Sequence, residues 1–143
     1  MRRHESLIPL SQFHRSCLFL ALIAKENAPN VKGYPTIIED KIDFSINFYQ
    51  TQLTQHFEQE AKLWNYLRDK SKRLTVILDD LRLEREVLKT RFIQLMDSKS
   101  KEDLFQIGSL LEQHVRKEER ILFQQIQSDL NEEELSQITR LTT

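Results

Sequence analysis

The chain holds two His-x-x-x-Glu pairs, His56/Glu60 and His114/Glu118, each inside a long helical pattern of apolar residues. At about 3.6 residues per turn, positions i and i+4 lie one above the other, so each pair aims an imidazole and a carboxylate in one direction. Both pairs fall where their helix needs a core residue. One stripe runs Ile38, Ile42, Ile46, Tyr49, Leu53, His56, Glu60, Leu63 or Trp64, and Leu67. The other runs Leu104, Ile107, Leu111, His114, Glu118, Ile121 or Leu122, and Gln125. A His/Glu pair on a solvated face is common and implies nothing further; two pairs on inward stripes make two helices face one shared interior.

Composition agrees with long helices. Gly occurs twice and Pro three times among 143 residues rich in Leu, Ile, Lys, Glu and Gln, which disfavours an all-β chain. The length fits one domain, 1–143, with one core. Residues 1–10 read as an N-terminal arm, with Pro9 disfavouring helix at Ile8. Ser11 reads as the N-cap of a first helix, Gln12 to about Asn27, whose stripe of Leu10, Cys17, Leu18, Ala21 and Leu22 takes in His14. Pro29 to Pro35, with Gly33 between them, is the clearest loop. Thr36-Ile37-Ile38-Glu39 has the form of a capping box opening a second helix that runs to about Leu67.

After a polar connection at 68–73, a third helix carries Leu74, Ile77, Leu78, Leu81, Leu88 and Phe92 and no histidine. Ser100 caps a fourth helix from about Lys101, with Asp103 in its first turn. Gly108, beside its stripe, marks either a close helix approach or a tolerated surface position. Asn131-Glu132-Glu133-Glu134 starts a short terminal helix over 131–140. Four long helices on short connections predict an all-α, antiparallel up-down-up-down four-helix bundle with a short C-terminal helix.

Charged residues make up 30% of the chain but balance to −1, so no single-sign field marks nucleic acid or an anionic membrane as a partner. The apolar run Cys17 to Ala24 begins late for a signal-peptide core and is too short to span a bilayer. A single cysteine, Cys17, allows no intrachain disulfide and is compatible with a reducing compartment, so a cytoplasmic location is expected. No hydrolase triad, phosphate loop or nucleotide fingerprint is present in the sequence, which leaves conventional enzymology little support.

His14, His56 and His114 thus lie on the inward stripes of three helices, accompanied by Glu60 and Glu118. Buried ionised carboxylates need a cation beside them, and Arg85 on the third helix is the main protein candidate. For one histidine the simpler reading is a satisfied core residue; for five converging residues a metal accounts for the whole set. Imidazole with carboxylate suits iron, manganese or zinc, and a bundle core is a usual home for a carboxylate-bridged two-metal centre. A ferritin-like centre would show Glu-x-x-His, and neither His56 nor His114 has Glu three residues before it.

Three segments carry a family resemblance: Arg3-His4-Glu5-Ser6-Leu7-Ile8-Pro9-Leu10-Ser11-Gln12-Phe13-His14, then His56-Phe57-x-x-Glu60, then His114-Val115-Arg116-Lys117-Glu118-Glu119-Arg120-Ile121-Leu122-Phe123. In them the chain resembles the hemerythrin-like, or HHE cation-binding, domains over almost its whole length. The resemblance implies a four-helix bundle holding a non-haem di-iron centre, with one ligand element per helix. His14, His56 and His114 would be terminal ligands, and Glu60 and Glu118 bridging or chelating carboxylates. The third element departs from the family pattern, because Leu78-Asp79-Asp80-Leu81 puts Leu81 where the family has a histidine after an acidic residue. A helix rotated by one residue would offer Asp80 as a replacement ligand, and Glu84 lies one turn on. Ala61 stands where a second glutamate is common.

Several neighbours bear on the site. Tyr49, two turns before His56, is either a core tyrosine or a group able to hydrogen-bond or ligate a metal. Cys17 is a soft ligand, an oxidisable thiol or an inert buried thiol. His4 covers the bundle end, supports the ligands or is solvated. Glu58 and Glu119 are expected to face away as surface charge. The expected function is a module binding one or two non-haem iron ions, manganese and zinc staying open, with dioxygen, nitric oxide or peroxide as small ligand or iron supply as signal. The alternative is a degenerate bundle with one metal or none, acting as a structural or protein-interaction module; the sequence identifies no protein partner.

Overall fold

In the computed structural model, which describes residues 2–143, the protein is all-helical, with no strand among the described residues. A 3-10 turn, Glu5–Leu7, leads into α1, Ile8–Ile23. A second rod consists of α2 (Ile38–Phe48) and α3 (Thr54–Leu67), joined through a π-helical segment, Tyr49–Leu53. Helix α4 spans Lys72–Ser98. Helices α5 (Lys101–Lys117) and α6 (Phe123–Asp129) are joined through another π-helical segment, Glu118–Leu122, and α7 is Glu132–Leu141.

The helix starts show which local signals held. Ser100 Oγ accepts from the Asp103 amide, and Asn131 with Glu134 closes a full capping box; Ser71, read only as part of a polar connection, also caps α4 by accepting from the Leu74 amide. Other expectations are corrected. Pro9 sits in the first turn of α1, where a missing N–H breaks no bond, so the helix reaches back to Ile8 and the arm is shorter than 1–10. Ser11 is inside the helix, and its hydroxyl donates to Glu119 instead of capping. No capping box forms at Thr36: α2 starts at Ile38 behind Ile37, which makes no side-chain cap bond. The apolar N-terminal helix is also longer than the run Cys17 to Ala24, since Glu5–Ile23 is long and apolar enough by length and composition to cross a membrane.

Two apolar clusters fill the interior. One gathers Leu20, Ala24, Ile42, Leu53, Phe92 and Leu104, among others; the second gathers Leu7, Trp64, Leu78, Leu81, Phe123 and Ile138, among others. The polar residues fall between them along each helix: His14 between Leu10 and Cys17, His56 and Glu60 between Leu53 and Leu63, Glu118 between Val115 and Leu122. Gly108 marks a close approach of α5 to α1, because a Cβ there would stand 3.0 Å from Ala24 Cβ and 3.1 Å from the Ala21 carbonyl oxygen.

Candidate metal centre

His14 on α1, His56 and Glu60 on α3, and Glu118 at the head of the second π-helical segment present buried donor atoms within 4.8 Å of one another. His14 Nε2 lies 3.3 Å from His56 Nε2, 3.3 Å from Glu118 Oε2 and 3.8 Å from Glu60 Oε2. His56 Nε2 lies 3.3 Å from Glu60 Oε2. Donors about 2.1 Å from one ion stand about 3.0 Å apart in an octahedron and about 3.4 Å apart in a tetrahedron, so the three 3.3 Å edges fit a shared cation and the 3.8 Å edge is longer. His114 joins from α5, its Nε2 2.9 Å from Glu118 Oε1. Glu118 therefore faces His14 with one oxygen and His114 with the other.

Two of the three imidazoles are held from behind. His14 Nδ1–H donates to Glu119 Oε2 at 2.7 Å, and Glu119 is itself held by the Ser11 hydroxyl and by Arg3. His114 Nδ1–H donates to Glu84 Oε1 at 3.0 Å, while Glu84 Oε2 accepts from Lys117 Nζ at 2.8 Å. A carboxylate on Nδ1 fixes the ring and directs Nε2 inward, which is how metal-binding histidines are usually oriented. His56 is held differently: its ring stacks on Phe13 with centroids 4.3 Å apart and borders a cleft of about 340 Å³ that Pro9, Gln55 and Gln59 also line.

Glu119 is thus not surface charge, and its placement has a local cause. The π-helical turn starting at Glu118 widens the helix and moves the inward stripe onto Leu122, Phe123 and Ile126, leaving Ile121 exposed. Glu119 then turns toward α1. Such segments are uncommon and tend to occur at functional sites. The polar Ser11 and Arg3, both of which it meets, were the available sequence signal.

Burial by itself disfavours a charged imidazole, but around His14 the carboxylates of Glu118, Glu119 and Glu60 outweigh it and raise its pKa well above the ordinary value. His114 shows the same contest, burial against Glu118 and Glu84, and ends at about 10. Burial pushes the Glu60 carboxyl up, yet His56 and the surrounding hydrogen bonds hold it well below the usual range. In the metal-free protein, protons on His14 and His114 do what a bound cation would do. Arg85 does not: its guanidinium lies 4.4 Å over the Trp64 ring, and its Nε and Nη1 have no hydrogen-bond partner. Glu60 Oε1, Glu118 Oε2 and His114 Nε2 are likewise buried without a hydrogen-bond partner. Two buried carboxylates, no arginine or lysine among the described residues paired to them, and convergent imidazoles make a cluster that could hold a metal.

The remaining sequence candidates lie elsewhere. Leu81 is fully buried in an apolar cluster, so the expected inward phase of α4 holds and no replacement side chain rotates in. Asp80 faces outward, its Oδ2 3.8 Å from Lys117 Nζ. Glu84 reaches the site only through His114. Tyr49 stacks on Phe92 with centroids 4.5 Å apart, inside the apolar cluster. His4 caps the first turn through Nδ1 and meets Glu132 through Nε2 at 2.8 Å, closing the end of the molecule. Cys17 is buried, and desolvation pushes its thiol far above the ordinary range.

No family model, curated protein or solved structure matches the chain. The chemistry therefore has to be argued from donor types and their spacing.

Proposed function

We propose that the cluster is a non-haem metal centre of hemerythrin-like type, holding one or two iron ions within an antiparallel up-down-up-down bundle. The protein would bind or sense dioxygen, nitric oxide, peroxide or iron supply. One observation carries this reading: the buried donor atoms of His14, His56, Glu60 and Glu118 lie within 4.8 Å of one another, while Arg85, the main protein candidate to neutralise them, is turned onto Trp64. Those four residues would hold a first ion. His114 and the other oxygen of Glu118 would begin a second position, to which Leu81 contributes no donor. Bound iron would supply a Lewis-acidic, redox-active group. The chain's own part is to fix the imidazoles through Glu119 and Glu84, to exclude bulk water with Phe13, Trp64 and Phe123, and to admit a small ligand by the cleft beside His56.

A metal-free interaction bundle is favoured by one feature, that each imidazole already faces a carboxylate, so the layer can neutralise itself with protons. Elemental analysis of protein from iron-replete cells, read with its visible spectrum, separates the two. We expect about one to two irons per chain with ferric absorption bands. A metal-free protein whose thermal midpoint responds neither to ferrous iron nor to chelation sinks the proposal.

A further inference from the structure

Helix α4 carries four of the most exposed large apolar side chains: Val76, Leu83, Val87 and Ile93, between 45% and 69% exposed. At about 100° per residue, Val76, Leu83, Val87 and Gln94 lie within about 40° of one another, opposite the inward stripe. Leu83 and Val87 form a ridge with a groove on each side. One groove, about 370 Å³, runs toward α5 and is lined by Leu88, Leu110 and Lys117; the other, about 470 Å³, is lined by Thr90, Arg91 and Gln94.

We propose that this face is a homodimer interface, in which a second copy packs antiparallel about a two-fold axis level with Arg85. The inference is independent of the metal reading. A two-fold interface sets one patch against itself, so the patch must be self-complementary in shape and charge. In shape, a ridge flanked by grooves seats in the groove of an identical partner. In charge, Asp80 stands five residues before the axis and Arg91 six after it, on one flank of the stripe. Lys72 and Asp97, thirteen before and twelve after, share the other flank.

An antiparallel two-fold joins residues on the same flank at opposite distances from the axis. Asp80 thus meets the partner's Arg91, and Lys72 meets the partner's Asp97. A parallel two-fold instead joins opposite flanks at equal heights, which sets Asp80 across from the partner's Asp79, like charge against like. The charges are free to do this: Asp80 has only a 3.8 Å contact with Lys117, and Arg91 donates to a neutral acceptor, Gln106 Oε1, at 2.8 Å. Lys72 and Asp97 are exposed and form no ion pair among the described residues. Flanking charges of this kind set partner and direction in paired helices.

The test is mass in solution by sedimentation equilibrium across a concentration series. The full chain should appear at twice its 17.1 kDa. Leu83→Glu should raise the dissociation constant about a hundredfold and either Asp80→Arg or Arg91→Asp about tenfold, each with unchanged helical circular dichroism. Mixing the Asp80→Arg and Arg91→Asp proteins should restore dimers, because each then offers the charge the other lacks. A wild-type chain that stays at single-chain mass up to about 1 mM overturns the proposal, and would leave the stripe to a different protein. So does a dimer indifferent to all three substitutions, or a mixture of the two charge variants that stays monomeric.

Discussion

The apolar clusters and the polar layer between them are built by the same helices, one or two turns apart, yet they are stabilised in different ways. Leu10 and Cys17 on α1 need only to be covered. His14, between them, needs Glu118 on one nitrogen and Glu119 on the other. A buried leucine is stabilised by removal from water whatever its neighbour is, whereas a buried ion depends on one particular partner. The clusters should therefore tolerate repacking and ignore metal, and the layer should do neither.

The largest effect that tests this contrast is Glu118→Ala. It removes the carboxylate shared by His14 and His114, and should destabilise the metal-free protein by about 3–5 kcal/mol in urea unfolding, with metal uptake lost. Intact uptake would break the comparison at its centre. Leu104→Ala, in an apolar cluster, should cost about 2–4 kcal/mol, and the same amount with or without metal. A metal-dependent difference would show the two regions to be coupled.

Leu81→His sharpens the contrast by moving one position from the apolar set to the polar one. It should cost the metal-free protein about 1–3 kcal/mol, recovered on adding cobalt or iron with a rise in bound metal per chain. No change in stoichiometry would mean that the α4 side is not adjacent to a second position.

The pH dependence separates protons from metal in the same layer. His14 and His114 are raised from 6.5, so their stabilisation of the metal-free fold is complete below that pH and fades as pH climbs, for His114 through about 10. Glu60, Glu84 and Glu119 are lowered from 4.5, so theirs is present above that pH and fades as it falls. Thermal midpoints without metal should peak between these limits, while metal uptake improves with rising pH because it displaces the protons. A metal-free midpoint that stays flat above pH 6.5 would mean that the buried histidines are not the protonated partners. The smallest effect is expected for Glu119→Gln, which keeps the shape behind His14 but removes the charge. Metal affinity should drop about tenfold with little loss of fold stability, and an unchanged affinity would reduce Glu119 to packing.

Residue spacing made the polar layer legible. His14, His56, Glu60, His114 and Glu118 were assigned inward because helical period is a local property, and all five are buried. The N-caps at Ser100 and Asn131 were legible for the same reason. Glu119 was not, because a π-helical turn changes the period at the residue where the reading depended on it. Arg85 was also misjudged: it is inward as expected, but it chose the face of Trp64 over the carboxylates. That choice depends on two side chains from different helices.

The sequence by itself determined that this protein is helical, where the main helices run, and that three imidazoles and two carboxylates point to the interior, since each follows from the geometry of a few consecutive residues. Only the tertiary structure decided that Glu118 stands between two histidines, that Glu119 and Glu84 hold those rings from behind, and that Gly108 lies against Ala21 and Ala24. Those are facts about separate helices facing one another across a few ångströms, and such distances are set by packing rather than by chain position.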